Sequence, residues 1–219
     1  MNHSRPTRYE LALVGIVFVV LVWSGIGPHD GFTWFLEVAP VLVGLPILMA
    51  IYRRFRFTPL AYTLIAIHAV ILMVGGHYTY AQVPLGYWLQ DWLEFSRNHY
   101  DRLGHLAQGF IPAIVVREIL IRRSPLRRSR WLPFVVVSIC LAFSALYELI
   151  EWWTAVATGE AAEAFLGTQG DVWDTQWDMM LALIGAILAL LTLSRPHDRQ
   201  LSGRSAGRPA PEYYLAAND

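Results

Sequence analysis

The chain has 219 residues, 55% of them hydrophobic and 16% charged, with a mean hydropathy of +0.40, which excludes an ordinary water-soluble domain. Seventeen acidic residues balance seventeen basic ones, and the basic ones have a topological explanation given below, so nothing points to nucleic acid as a partner. Cys140 is the only cysteine, set in an apolar run, which rules out a disulfide framework and reads as a small buried hydrophobe.

Long apolar segments of near-bilayer length recur along the chain. They predict an all-α, polytopic membrane protein with six transmembrane helices near 9–27, 32–52, 58–76, 101–121, 131–153 and 177–194. Residues 1–195 make up this single domain, and 196–219, rich in Arg, Gly, Ser and Pro, read as a flexible cytoplasmic tail. The first span is not a cleavable signal, because "GPHDGF" leads from it straight into the second.

All 17 basic residues are Arg. Fourteen fall before the first span, between spans two and three, between four and five, and after the sixth. The positive-inside rule then puts both termini in the cytoplasm of a bacterial inner membrane and makes 77–100 and 154–176 the two longer, periplasmic loops. Within the first loop, Leu85, Trp88, Leu89, Trp92 and Phe95 repeat at helical spacing, with Asp91 and Glu94 off that stripe. This pattern predicts a short amphipathic helix on the outer surface. The second loop is acidic, Gly-punctuated and Trp-rich. Trp152 and Trp153 read as interface anchors.

In this topology the ionisable residues collect at one depth. "RNHYDRLGHLAQG" opens the fourth span, with Asp101, His105 and Gln108 along one face. Ser144, Glu148 and Glu151 form a stripe in the outer part of the fifth span, and Asp171, Asp174 and Asp178 lead into the sixth. His77 ends the third span and Glu37 lies near the outer start of the second. Asp101, Asp174 and Asp178 sit at helix N-termini, where a carboxylate is favoured as a simple cap. Glu148 and Glu151 do not fit that account, since the C-terminal end of a helix disfavours anions. They need a metal, a proton relay or Arg partners, and Arg97 and Arg102 are the only Arg residues on that side. His and carboxylates without Cys suit Zn foremost, with Mn or Fe as alternatives. The expected ligands are His105, Asp101 and one carboxylate each from spans five and six, drawn from a set that includes His77, His99, Asp174 and Asp178. By contrast, His68 reads as a core histidine with a hydrogen-bond partner, and Arg117 and Glu118 as a pair, or a snorkelling Arg, at the cytoplasmic end.

Four segments in order, "HYTYAQVPLGYWL", "RNHYDRLGHLAQGFIPAIVVRE", "ALYELIEWW" and "FLGTQGDVWDTQWDMM", resemble the signature segments of the YjdF family of bacterial inner-membrane proteins. The likeness covers about residues 10–195 and leaves the tail outside. It implies a six-helix inner-membrane protein and assigns no reaction. Three functions remain open. The first is a metal-dependent hydrolase open to the periplasm, with Glu148 or Glu151 as general base and Arg97 and Arg102 holding the anionic head of a lipid-like substrate. The second is a cation or proton transporter, and the third an accessory subunit of a membrane complex.

Overall fold

The computed structural model of the chain describes residues 5–159, 163–166 and 168–205. Among them all regular structure is helical. Long helices run in alternating directions: α1 (Arg8–Ser24), α2 (Gly31–Ile51), α3 (Pro59–Tyr78), α5 (Tyr100–Arg123), α6 (Trp131–Thr158) and α8 (Asp174–Ser205). Two shorter ones, α4 (Pro84–Leu93) and α7 (Glu163–Leu166), lie in the long connections. One end of the bundle carries the Arg-rich turns and the other carries the acidic residues; they are called here the Arg-rich end and the acidic end.

Local chemistry fixes the helix starts. Thr7 and Glu10 form a capping box on α1, Asp30 accepts from the Thr33 amide at 2.6 Å to open α2, and Thr58 caps α3 with Pro59 in its first turn. Prolines inside α2, α5 and α8 do not stop these helices, since neighbouring groups in a packed bundle re-satisfy the freed carbonyls. Five of the helices are long and apolar enough to cross a membrane. The remaining long helix, α1, has 17 residues.

The core forms two units. The larger joins α3, α5, α6 and α8 around Ile111, Ile114, Val136, Cys140 and Ala186. Its tightest contact is α5 on α8: a Cβ built on Gly109 would lie 1.8 Å from the Ala182 carbonyl oxygen, and one on Gly185 would lie 2.2 Å from that of Leu106. The helices therefore meet backbone to backbone, through small residues, as membrane helices do when dispersion rather than water drives association. The smaller unit sets α1 and α2 on either side of α3 around Val17, Val38, Ala66 and Met73.

The expected amphipathic helix is α4, with Trp88 70% and Trp92 78% exposed. The last helix departs from expectation. It runs on through Pro196 to Ser205, so residues 196–205 are helix rather than the start of a tail. The reason is a set of polar partners beyond Pro196, described below. The rest of the expected tail, 206–219, and part of the expected loop 154–176 lie outside the described residues.

Candidate functional site

At the acidic end, α5, α6 and α8 pack mutually and bring their polar faces together. Asp101 and His105 come from the first turns of α5, Ser144, Glu148 and Glu151 from α6, and Asp174 and Asp178 from the start of α8; all seven are buried. His105 is central. Its Nε2 lies 3.5 Å from Asp101 Oδ1 and its Nδ1 3.7 Å from Glu148 Oε1, while Gln108 Oε1 stands 2.9 Å from Nδ1. Two sets of donor atoms converge, Asp101–His105–Asp178 and His105–Glu148–Glu151, each with its ligand atoms within 4.8 Å of one another. Glu37 on α2 faces the same group, accepting from the Tyr147 hydroxyl at 3.2 Å.

The two Arg residues of this end stand at the rim. Arg97 donates to Asp174 at 2.5 Å and to the Thr168 carbonyl at 2.5 Å. Arg102 binds Asp171 at 2.7 Å and lies over the Trp177 ring. Gln169 and the Asn98 backbone exchange hydrogen bonds, with Gln169 Nε2 donating to the Asn98 carbonyl at 2.8 Å. The two long connections are thereby clamped to each other over the site. Asn98 fits there because Gly86 has no Cβ; one would lie 1.8 Å from its Oδ1.

Several expected residues play other parts. Asp174 is taken up by Arg97 and belongs to neither donor set. His77 accompanies α1 instead: its Nδ1 lies 3.0 Å from the Ser24 carbonyl oxygen and its ring stacks 4.4 Å from Trp23. His99 precedes α5 and packs edge-on against Phe95, because the residue before a helix's first turn faces the loop, not the bundle axis. Neither imidazole joins a donor set. Arg97 reaches Asp174 and the Thr168 carbonyl and Arg102 reaches Asp171, which makes both of them clasps at the rim. Tyr147 was not anticipated as a partner of Glu37, although its position, one residue before Glu148, was a usable signal.

After Arg97 and Arg102 are spent on Asp171 and Asp174, Asp101, Asp178, Glu148, Glu151 and Glu37 surround one imidazole. Glu148 Oε1, Asp178 Oδ1 and Ser144 Oγ are buried without a hydrogen-bond partner. Such oxygens are costly in a low-dielectric setting unless a cation or protons join them.

The Arg-rich end holds a second buried cluster with the opposite character. Glu118, fully buried, accepts from the Thr58 amide at 3.0 Å, Thr58 Oγ1 at 2.7 Å and Arg122 at 2.7 Å, and pairs with His197 at 3.1 Å. Arg117 binds His197 Nδ1 and Asp198. Here the charged groups answer one another, and the cluster pins α3, α5 and the extended end of α8 together. The sequence places His197 in the flexible tail and Arg117 and Glu118 as a pair, or a snorkelling Arg, at the helix end; in the structure each of the two pairs instead with His197. His68 departs from expectation in the other direction, since its buried Nε2 has no partner among the described residues.

Residues 9–199 match a family described as predicted membrane protein, DUF2238. The chain belongs to that family. It is 54% identical over 183 residues to the inner membrane protein YjdF of Escherichia coli (strain K12), covering 84% of this chain and 88% of the relative. The resemblance seen in the four sequence segments is thus a family membership that takes in every member of the buried acidic cluster. Together with the apolar helices it makes the chain a multi-pass membrane protein. No solved structure matches the chain.

Proposed function

We propose that the acidic end is a divalent-cation site, Zn foremost, open to the periplasm of the inner membrane, and that the protein is a metal-dependent hydrolase of a lipid-like, amphiphilic substrate. The carrying observation is the shortage of positive charge around His105, where five buried carboxylates gather and Glu148 Oε1 and Asp178 Oδ1 stay unpartnered while both neighbouring Arg residues pair with Asp174 and Asp171 at the rim. Asp101, His105 and Asp178 are the ligands, a His–carboxylate set that suits Zn. Glu148 and Glu151 share His105 with that set, and one of them is left to take a proton from water; a bound divalent ion supplies the lowered pKa of that water.

The orientation follows from the Arg turns, with six spans, α1 included, and cytoplasmic termini. A transporter is less well supported. Between the two charged clusters α5 and α8 are in backbone contact at Gly109 and Gly185, and apolar Ile111, Ile114, Val136 and Cys140 are buried there, which closes the direct path between the clusters among the described residues.

Elemental analysis of purified protein tests the site. Wild type is expected to hold one metal per chain and His105→Ala close to none. Glu148→Gln and Glu151→Gln are then assayed in proteoliposomes against phospholipids and lipid-linked phosphates; the base variant should retain metal and lose about 10²–10⁴ in turnover. A wild type free of metal that keeps its thermal stability in chelator would leave the accessory-subunit reading.

A further inference from the structure

A second feature lies on the other side of α3 and does not depend on the proposed metal site. The helices α1 and α2 both pack on α3 but scarcely on each other. They are tied at their two ends, by Trp34 Nε1 donating to Ser24 Oγ at 3.2 Å at the acidic end and by Tyr52 donating to Glu10 at 3.0 Å at the Arg-rich end. Between the ties lies a cavity of about 550 Å³, within the range of small-molecule sites. Its walls are the aliphatic faces of α1 and α2, with Val14, Val17, Val41 and Leu45 among them, and its floor is α3 with Pro112 of α5. From Pro40 to Tyr52 it follows α2 for about 18 Å, roughly the depth of one leaflet's hydrocarbon.

The polar mouth of this groove is strongly basic. Arg53 and Arg54 directly follow the lining residue Tyr52, and Arg5 and Arg8 flank the lining residue Pro6; all four are exposed, and none is ion-paired among the described residues. Glu10, the one carboxylate lining the groove among the described residues, is already neutralised: Arg56 holds both of its oxygens, and Thr7 and Tyr52 donate to it as well. Positive charge around an apolar slot one leaflet deep is complementary to a phospholipid with an anionic head group, whose phosphate meets the guanidiniums while a chain lies in the slot. We infer that the α1–α2 groove seats an anionic phospholipid of the leaflet facing the Arg-rich end, with its head group on Arg53 and Arg54 and the flanking Arg5 and Arg8.

Gly44 makes the inference testable. It lines the groove, and a Cβ there would meet nothing within 4 Å, so Gly44→Trp fills the slot without touching the packed faces. Purified full-length protein is mixed with phosphatidylglycerol or phosphatidylcholine of the same acyl chains and examined by native mass spectrometry. Wild type should retain phosphatidylglycerol about tenfold better than phosphatidylcholine. Gly44→Trp should lose the retained lipid at unchanged thermal stability, with Gly44→Leu as the milder plug if the larger residue prevents folding. Arg53→Gln with Arg54→Gln should lose the preference between head groups. His68→Leu, deep in the floor, should leave retention unchanged. Equal retention of the two lipids by wild type, or full retention by both plugged variants, overturns the inference. So does loss on His68→Leu alone, because it means that a hydrogen-bonding ligand occupies the groove.

Discussion

Glu118 and Glu148 sit at opposite ends of the same bundle, both buried, and differ in what answers them. Thr58, Arg122 and His197 all donate to Glu118 or pair with it, so removing its charge takes that acceptor from the fully buried His197 and the half-buried Arg122. Glu118→Ala should therefore cost about 3–5 kcal/mol, read as a large fall in thermal unfolding temperature in detergent. Glu148, with an unpartnered oxygen beside other carboxylates, should behave in the opposite way in the absence of the proposed metal. In chelator, Asp178→Asn and Glu148→Gln should leave stability unchanged or raise it by about 1 kcal/mol, as when a functional site relinquishes stored repulsion. A fall like that of Glu118→Ala would show that the acidic cluster is structural. His99 adds a pH term from outside the spans. Burial, then Arg102 and Arg97, lower its pKa from the ordinary 6.5. The unfolded chain takes up a proton that the folded chain refuses, so stability present above pH 6.5 is lost as the pH falls towards the lowered folded value. The unfolding temperature of His99→Gln should gain on wild type between pH 7 and pH 5.

At the scale of the helices, glycine separates contact from open surface. Gly109→Ala would drive a methyl into the Ala182 carbonyl and Gly75→Ala one into the Tyr80 ring, at 2.3 Å. Each should destabilise by several kcal/mol, because a packed interior gives only by moving backbone. Gly15→Ala, with nothing within 4 Å, should instead stabilise α1 by about 0.5–1 kcal/mol. Much of this architecture was legible in the sequence. Apolar length gave the long helices, five of them long and apolar enough to span a membrane, helical spacing gave α4, and the i, i+4 and i, i+7 stripes of Asp101–His105 and Ser144–Glu148–Glu151 gave the faces that meet. The partners of individual charges were not legible. Spacing along one helix shows which side a group takes, and only packing between helices shows that Arg97 reaches Asp174 or that His77 turns to α1. The start of the tail misled for a different reason: its Arg, Gly, Ser and Pro content read as flexible, yet Arg117 and Glu118 on α5 hold His197 and Asp198 just past Pro196.

Taken as a whole, the molecule is polarised from end to end, and its orientation can be checked directly. Val172, 85% exposed at the acidic end, should as Val172→Cys react with an impermeant thiol reagent on cells whose inner membrane is intact. Arg54→Cys at the other end should react only after lysis, and the buried Cys140 gives a low background. The reverse pattern would place the candidate site in the cytoplasm. Aromatic residues follow the same polarity. Of the nine Trp residues, only Trp131 starts a helix at the Arg-rich end; Trp88, Trp92, Trp152, Trp153 and Trp173 are exposed at the other. Indole rings hold a fixed level at a lipid interface, whereas Arg side chains tolerate vertical shift by snorkelling. In a thinner or thicker bilayer the protein should therefore stay registered to one interface and slide relative to the other. Hydrophobic mismatch would then be absorbed on the Arg side, while the buried acidic cluster keeps a constant distance from its own water layer.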